Sequence, residues 1–434
     1  MASLSRSGDR VRRTVACAGG AGRLSCRPDF RIRPANRKQK MSLPPLRLRK
    51  NEDRRLRAGH LWVFSNEVDV RVTPLTEFEP GALVEVQDAR GAPMGTAYVN
   101  PRSLIAARLV SRQRNRPLDG DLLRRRLGRA LSLRESLFDR PFYRLVYGEG
   151  DGLPGLIVDR FGDVLVAQVT TAGMERVSEQ IVDALRETVR PAGILLRNDT
   201  SGRALEGLES YVRTGWGTVP DVLEIEENGV RFEAPVTGQK TGWFYDHRMN
   251  RARMAAYVRG RRVLDVFSYV GGWGVQAAAA GASEVVCVDA SAPALEFVER
   301  SAALNGAADR VRTRRADAFD ALMQLAADGE RFGVVVLDPP AFIKRKKDAK
   351  AGEEAYRRAN GLAMELLEPD GILVSASCSY HLPREGLQDA MLRASRRLGR
   401  ELQVLEEGHQ GPDHPIHPAI PETAYLKAFI GRVA

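Results

Sequence analysis

Cysteine is scarce in this chain, with four in 434 residues. Cys17 and Cys26 fall in an Arg-rich leader, Cys287 lies inside an apolar run, and Cys378 stands alone. That spacing excludes a disulfide framework and a zinc-binding cysteine cluster, and it fits a reducing cytoplasm. No apolar run approaches the ~20 residues of a membrane span, so the reading is a soluble protein with no membrane partner. Histidine is sparse as well; His409, His414 and His417 sit in a Pro-rich loop without matching Cys or Glu spacing, and no metal is expected. Charge of one sign is also missing from most of the chain. Residues 1–50 hold 14 Lys/Arg against 2 Asp/Glu, which leaves 52 against 53 elsewhere, so the formal net charge of +11 belongs to the leader. Nucleic-acid affinity in the body must therefore come from local patches.

What is present divides into four stretches. Residues 1–42 have no apolar period and read as a disordered basic leader, or as sequence preceding a true start at Met41; an Arg-rich, acid-poor leader also suits a transit peptide. Residues 43–116 read as a small β-rich module, with strands at Ala82–Gln87, Met94–Val99 and Ile105–Val110. Residues 117–236 carry leucines at helical spacing (Leu122, Leu123, Leu127, Leu131, Leu137) and two strands flanking Arg160-Phe161-Gly162-Asp163. A helix follows from about Met174 to Val189, then a hairpin at Asn228-Gly229; a connector role is expected. Residues 237–434 alternate apolar strands, at Val263–Val266, Glu284–Val288, Val311–Arg314, Val334–Leu337, Gly371–Ser375, Leu402–Leu405 and Ala424–Ile430, with helices such as Ala292–Asn305 and Gly361–Leu367. Seven strands so separated mean a doubly wound α/β sheet, whose ligands bind beyond the carboxyl ends of the strands.

The chemistry-bearing residues cluster at those ends. Asp265 and Phe267 lead into Gly271-Gly272-Trp273-Gly274, a turn whose glycines let backbone approach a ligand, with a spacing unlike the dinucleotide fingerprint. Asp289 ends the second strand, where a carboxylate can take both hydroxyls of a ribose, and Asp317 follows the third, where it can accept from an adenine amine. Acids at successive strand ends point to an adenosyl ligand. Asp338-Pro339-Pro340 ends the fourth strand in a rigid corner without amide donors, suited to the polar edge of a flat base. Lys344-Arg345-Lys346-Lys347 beyond it, and Lys240, Arg248 and Arg251 amid aromatics before the sheet, read as phosphate contacts and a lid for RNA. Forty residues after Asp338 comes Cys378, flanked by Ser377 and Ser379 at a strand terminus. A thiolate there can add to carbon 6 of cytosine and make carbon 5 nucleophilic, with Asp338, protonated or bridging to the ring edge, stabilising the adduct.

With these residues in view, the chain resembles the bacterial 23S rRNA cytosine-5 methyltransferases of the RlmI type, within the class I S-adenosylmethionine-dependent superfamily. The resemblance runs from about Leu46 to the C-terminus. It rests on Gly59–Phe64, Asp151–Arg160, Lys240–Arg251, Phe267-Ser268-Tyr269, Asp338-Pro339-Pro340, Ser377-Cys378-Ser379, and Asp413-His414-Pro415 with Tyr425-Leu426-Lys427. It implies an N-terminal PUA domain for RNA, a small central α/β domain and a Rossmann-like methyltransferase domain. It further implies S-adenosylmethionine as cofactor, large-subunit ribosomal RNA as partner, and room for a homodimer. By the same resemblance Asp289 and Asp317 contact ribose and adenine, and Gly271 and Gly272 face the methionine part; Asp265, Phe267 and Pro339, from their place at the strand ends, are expected in the same cofactor site. The resemblance makes Cys378 the nucleophile, while Lys240, Arg248 and Lys344 are expected from their positions to contact the RNA. Many wider relatives place a second cysteine directly after the two prolines; here that position is Ala341. The alternatives are a guanine or adenine N-methyltransferase that uses the Asp-Pro-Pro corner, and a non-catalytic RNA-binding assembly factor.

Overall fold

The computed structural model describes residues 42–238 and 241–434; the leader through Met41, and Lys240, lie outside them. The first sheet holds β1 (Pro45–Arg47), β2 (Trp62–Val63), β3 (Ala82–Gln87), β4 (Pro93–Val99) and β5 (Ala107–Ser111), in the order β1-β3-β4-β5-β2. Its core is small and aliphatic, built on Leu46, Val63, Val84, Val86, Ala97 and Leu109. Helix α1 (Gly120–Leu137) leads out of it. The Asp119 side chain accepts from Leu122 N at 2.9 Å and so caps the helix, whose Leu122, Leu123 and Leu127 face inward. They pack on a second sheet of β6 (Phe142–Tyr147), β7 (Leu156–Phe161), β8 (Val164–Val169), β9 (Gly193–Asn198) and β10 (Tyr211–Gly217), with order β10-β9-β8-β7-β6. The helix expected from Met174 is split: a single turn at Ala172–Glu175 precedes α2 (Ser178–Val189), because Val177 leaves the helical region at φ −115° and ψ 18°.

A hairpin follows, β11 (Val222–Glu227) and β12 (Val230–Pro235), turned by Asn228 and Gly229 at φ 55° and 77°. Positive φ at both positions suits the right-handed twist of the strands they join. Its apolar face (Leu223, Ile225, Phe232, Ala234) shares a core with Trp243, Val263, Val285 and Val298, so the hairpin packs against the residues that begin the last sheet as well as against Phe161 and Val166.

After α3 (Arg248–Met254) comes the seven-stranded sheet. Its parallel part contains β13 (Arg262–Val266), β14 (Glu284–Asp289), β15 (Val311–Arg315), β16 (Phe332–Leu337) and β17 (Leu367–Ser377); β18 (Leu402–Gly408) and β19 (Lys427–Val433) complete it. The order is β15-β14-β13-β16-β17-β19-β18, with β19 antiparallel to both its neighbours. Helices α4 (Gly274–Ala279), α5 (Ala292–Leu304), α6 (Ala318–Ala327), α7 (Ala349–Glu365) and α8 (Arg384–Arg397) connect the strands. Residues of β16 are buried on both faces, as the unbroken run Val334-Val335-Val336-Leu337 requires. Two boundaries differ from expectation. The helix read at Gly361–Leu367 is the end of α7, and Leu367 already pairs with Phe332 as the start of β17. The last strand begins at Lys427 rather than Ala424, since its register is set by pairing Ser377 with Lys427 and Gly371 with Val433. Strand order reverses between β13 and β16, which places the topological switch at the carboxyl ends of these two strands.

Buried ion pairs tie the central sheet to the C-terminal loop. Arg134, fully buried, grips Asp151 at 2.6 and 2.8 Å and donates to the carbonyl of Asp413, whose carboxylate takes the Arg144 N–H at 3.0 Å. Among the described residues no helix is long and apolar enough to cross a membrane.

Asp265 of β13 is fully buried, and its Oδ2 accepts the Gly274 N–H at 2.8 Å at the start of α4. A Cβ on Gly274 would lie 2.4 Å from Cys287 Sγ, so only glycine lets the helix start this close. Burial pushes the Asp265 carboxyl up to about 8, against the lowering effect of the Gly274 N–H. The folded protein therefore keeps a proton there that the unfolded chain loses near pH 4, and stability from this group declines as pH rises from about 4 to about 8. Asp265→Asn, which cannot ionise, is expected to flatten that slope in thermal unfolding followed at pH 5.5 and 8; an unchanged slope contradicts the assignment. Phe232, 1 % exposed, packs 4.6 Å from the Trp243 ring. Phe232→Ala is expected to cost about 3–5 kcal/mol in urea unfolding; a loss below about 1 kcal/mol would show the hairpin to be dispensable to this core.

Candidate active site

The carboxyl ends of β13, β14, β16 and β17 open on one cavity of about 490 Å³. Its floor is the loop after β13. Phe267 and Tyr269 hold left-handed backbone there, at φ 66° and 49°, a conformation that costs on the order of 1 kcal/mol or more for a bulky residue. The strain is held by hydrogen bonds from Ser268 N to Val288 O at 3.0 Å and from Tyr269 N to Asp289 Oδ2 at 2.9 Å. Ser268 faces the cavity, and its buried Oγ has no hydrogen-bond partner among the described residues. Gly272 also lines it; a Cβ there would meet the Arg251 guanidinium at 3.1 Å, so the glycine lets Arg251 lie against the loop.

Asp338 stands at the end of β16 between an indole donor and an imidazole. Trp273 Nε1 donates to its Oδ2 at 3.0 Å, and His247 Nε2 lies 3.2 Å from its Oδ1. Asn250 fixes that imidazole: its Nδ2 donates to the His409 carbonyl and lies 3.1 Å from His247 Nδ1, which leaves Nε2 toward the carboxylate. Burial pushes the Asp338 carboxyl up, but the His247 contact and the Trp273 bond outweigh it and hold the group below the usual carboxylate range. Asp338 is thus an ionised acceptor, and the protonated form entertained from the sequence does not fit these neighbours. Prolines 339 and 340 bring no N–H of their own.

Cys378 lines the same cavity just past β17. Its position is set from behind. Ser377 Oγ donates to Tyr356 Oη at 2.8 Å, Tyr356 Oη lies 2.9 Å from Ser379 Oγ, and Ser379 Oγ accepts the Ile343 N–H at 3.2 Å. Alternate residues of an extended chain face opposite sides, so pinning both serines to Tyr356 of α7 turns the thiol between them toward the cavity. The serines that read as a polar signature are the anchor of the cysteine.

Of the residues expected at the site, Cys378, Asp338, Pro339, Phe267, Gly272, Asp289 and Asp317 line this cavity together. Asp289 also accepts from Ser291 N, and Asp317 caps α6 through Phe319 N at 2.8 Å, so each does structural work as well. Asp265 lies beneath the loop rather than in the lining, and Gly271 turns its Cα toward Val275 and Val298. Arg248 is not at the site. It is 5 % exposed, donates to the Phe142 carbonyl and lies over the Phe138 ring, because the buried Glu227 and that carbonyl draw it inward. Lys344 is exposed outside the cavity with Lys346 and Lys347, and Arg345 pairs with Asp348 at 3.0 Å. Among the described residues no group of three His, Cys, Asp or Glu is arranged to hold a metal ion. The sequence reading did not single out Ser268, Trp273 and His247. Trp273 had a signal in the Gly-Gly-Trp-Gly turn, and His247 one in its aromatic, cationic stretch; Tyr356 had none.

A PUA-like domain model matches residues 46–112, and an S-adenosylmethionine-dependent methyltransferase model matches residues 210–432. Ribosomal RNA large subunit methyltransferase I of Erwinia tasmaniensis is 37% identical over 392 residues, spanning 89% of this chain and 98% of that protein. The protein of the same name from Shewanella denitrificans is 36% identical over 394 residues, spanning 89% and 99%. Among solved structures, SMU.776 complexed with SAH shares the fold at TM-score 0.77 and 17% identity, over 90% of this chain and 100% of that one. The chain belongs to the S-adenosylmethionine-dependent methyltransferases with an N-terminal PUA-like domain, the family of the ribosomal RNA large subunit methyltransferase I proteins, and S-adenosylmethionine is its cofactor.

Proposed function

We propose that this protein methylates carbon 5 of a cytosine in large-subunit ribosomal RNA through a covalent adduct of Cys378. The observation that carries the reading is the opening of Cys378 and Asp338-Pro339-Pro340 on one cavity with Asp289 and Asp317. The name shared by the relatives supports the RNA class.

The residues fit the cofactor. Asp246, Asp289, Asp317 and Asp338 make the cavity rich in carboxylates, which suits a cationic sulfonium, and Ser268 Oγ is a buried hydroxyl awaiting a polar partner. Asp289 and Asp317 would hold the ribose and the adenine. S-adenosylmethionine, when bound, supplies an electrophilic methyl group.

The chain's own residues do the rest. Asp338, kept ionised by His247 and Trp273, accepts from the exocyclic amine of cytosine and orients the ring. The Cys378 thiolate adds to carbon 6: the S–C bond forms, and the electron pair of the 5,6 double bond becomes available at carbon 5. Once carbon 5 carries the methyl group, loss of its proton restores the double bond and expels the thiolate. Ala341 in the cavity wall provides no second thiol, so release rests on Cys378 alone.

Cys378→Ala is expected to lower methyl transfer to ribosomal RNA by on the order of a thousandfold or more while calorimetry shows unchanged S-adenosylmethionine affinity. RNA carrying 5-fluorocytosine, whose carbon 5 cannot lose a proton after methylation, is expected to leave a protein–RNA complex that survives denaturation. Full activity of the alanine variant, or methyl groups mapped to a purine nitrogen by mass spectrometry, would overturn the mechanism.

A further inference from the structure

The thiolate that this mechanism requires shares its cavity with four carboxylates, which oppose its formation. A cation is held by the backbone next to the thiol. Lys427, the first residue of β19, pairs across the sheet with Ser377, and it is 7 % exposed. Its Nζ donates to the carbonyl of Ser379, the residue after Cys378, and to the carbonyl of Tyr425 at 2.8 Å. An ammonium has three N–H donors, so one remains beyond these two. No carboxylate forms an ion pair with Lys427 among the described residues, and a buried cation without a counter-ion is costly. The titratable or charged groups around the thiol and this ammonium include Tyr356 of α7, already engaged with Ser377 and Ser379, the like-charged Arg384 of α8, and His247 and Arg251 in the lining of the same cavity.

We infer that Lys427 is the counter-ion of the Cys378 thiolate, its ammonium tethered to the flanking backbone so that negative sulfur is the anion that completes its surroundings. Lys427 is a positioning residue. At neutral pH it keeps its proton, the thiol proton leaves to solvent, and the gain is a larger thiolate fraction there. Burial and Arg384 bring the lysine down to about 8, against the opposing effect of Cys378. The inference rests on Cys378 as the nucleophile, but its test needs no RNA.

In the full-length protein, the rate of iodoacetamide alkylation at Cys378, resolved by peptide mass spectrometry, is followed against pH. Lys427→Gln, which keeps N–H donors for the two carbonyls but removes the charge, is expected to shift the midpoint upward by about one unit and slow alkylation at pH 7 by about tenfold. Lys427→Arg is expected to restore most of that rate. An unchanged profile in Lys427→Gln with S-adenosylmethionine binding intact overturns the inference. If Lys427→Gln no longer binds S-adenosylmethionine, the unaltered protein decides: anionic iodoacetate should gain on neutral iodoacetamide at Cys378 relative to the same ratio in the denatured chain, and no gain overturns it. A shifted profile without a covalent complex on 5-fluorocytosine RNA would remove the cytosine reading and leave the ion pair standing; the converse would remove the ion pair alone.

Discussion

The Glu227 carboxylate, buried at the end of a hairpin strand, is the constraint on which the cavity depends. Three donors answer it: Arg251 Nη1 at 2.6 Å, Gln276 Nε2 at 2.9 Å and Trp243 Nε1 at 3.0 Å. A charge taken out of water is tolerated only when so surrounded, and the requirement draws the segment after the hairpin, α3 and α4 onto one point. Arg251, held there, donates onward to the Phe244 carbonyl and lies under Gly272, so an ion pair inside the core sets the wall of the cavity. Arg248 is drawn into the same cluster, 3.7 Å from Glu227.

Around that wall the site is assembled from opposed preferences. The loop after β13 adopts left-handed backbone at two aromatic residues, and the strain persists because Asp289 and Val288 hold its amides. Asp265 stays buried where its carboxyl favours the neutral form, while Asp338, nearby, is kept ionised by an imidazole and an indole. Two carboxyl groups of the same sheet thus carry different charge because one faces a backbone amide in an apolar setting and the other faces His247 and Trp273. The Tyr356 hydroxyl, reaching from α7 to two serines, gives the intervening cysteine its direction.

Much of this was legible from the residues in order. Apolar runs such as Val334–Leu337 state buried strands by themselves, and Asn228-Gly229 states its turn, because both depend on local backbone preference. That Asp289, Asp317, Asp338 and Cys378 share one cavity was legible because each follows a strand of a sheet whose ligand side is set by topology. Arg248 was not. A cation amid aromatics has the same local pattern whether it meets RNA phosphate or a buried glutamate, and the glutamate lies 21 residues away on the hairpin.

The sequence by itself determined the seven strands of the last sheet, the class of fold and the acids and thiol at the strand ends, since these follow from periodicity, turn chemistry and strand sequence. Only the tertiary structure decided which charges are spent inside and which remain for chemistry. That outcome depends on neighbours far apart in the chain: His247 beside Asp338, Tyr356 behind Cys378, and Lys427 across the sheet from Ser377. A charge takes its meaning from what surrounds it within a few ångströms, and folding alone sets those surroundings.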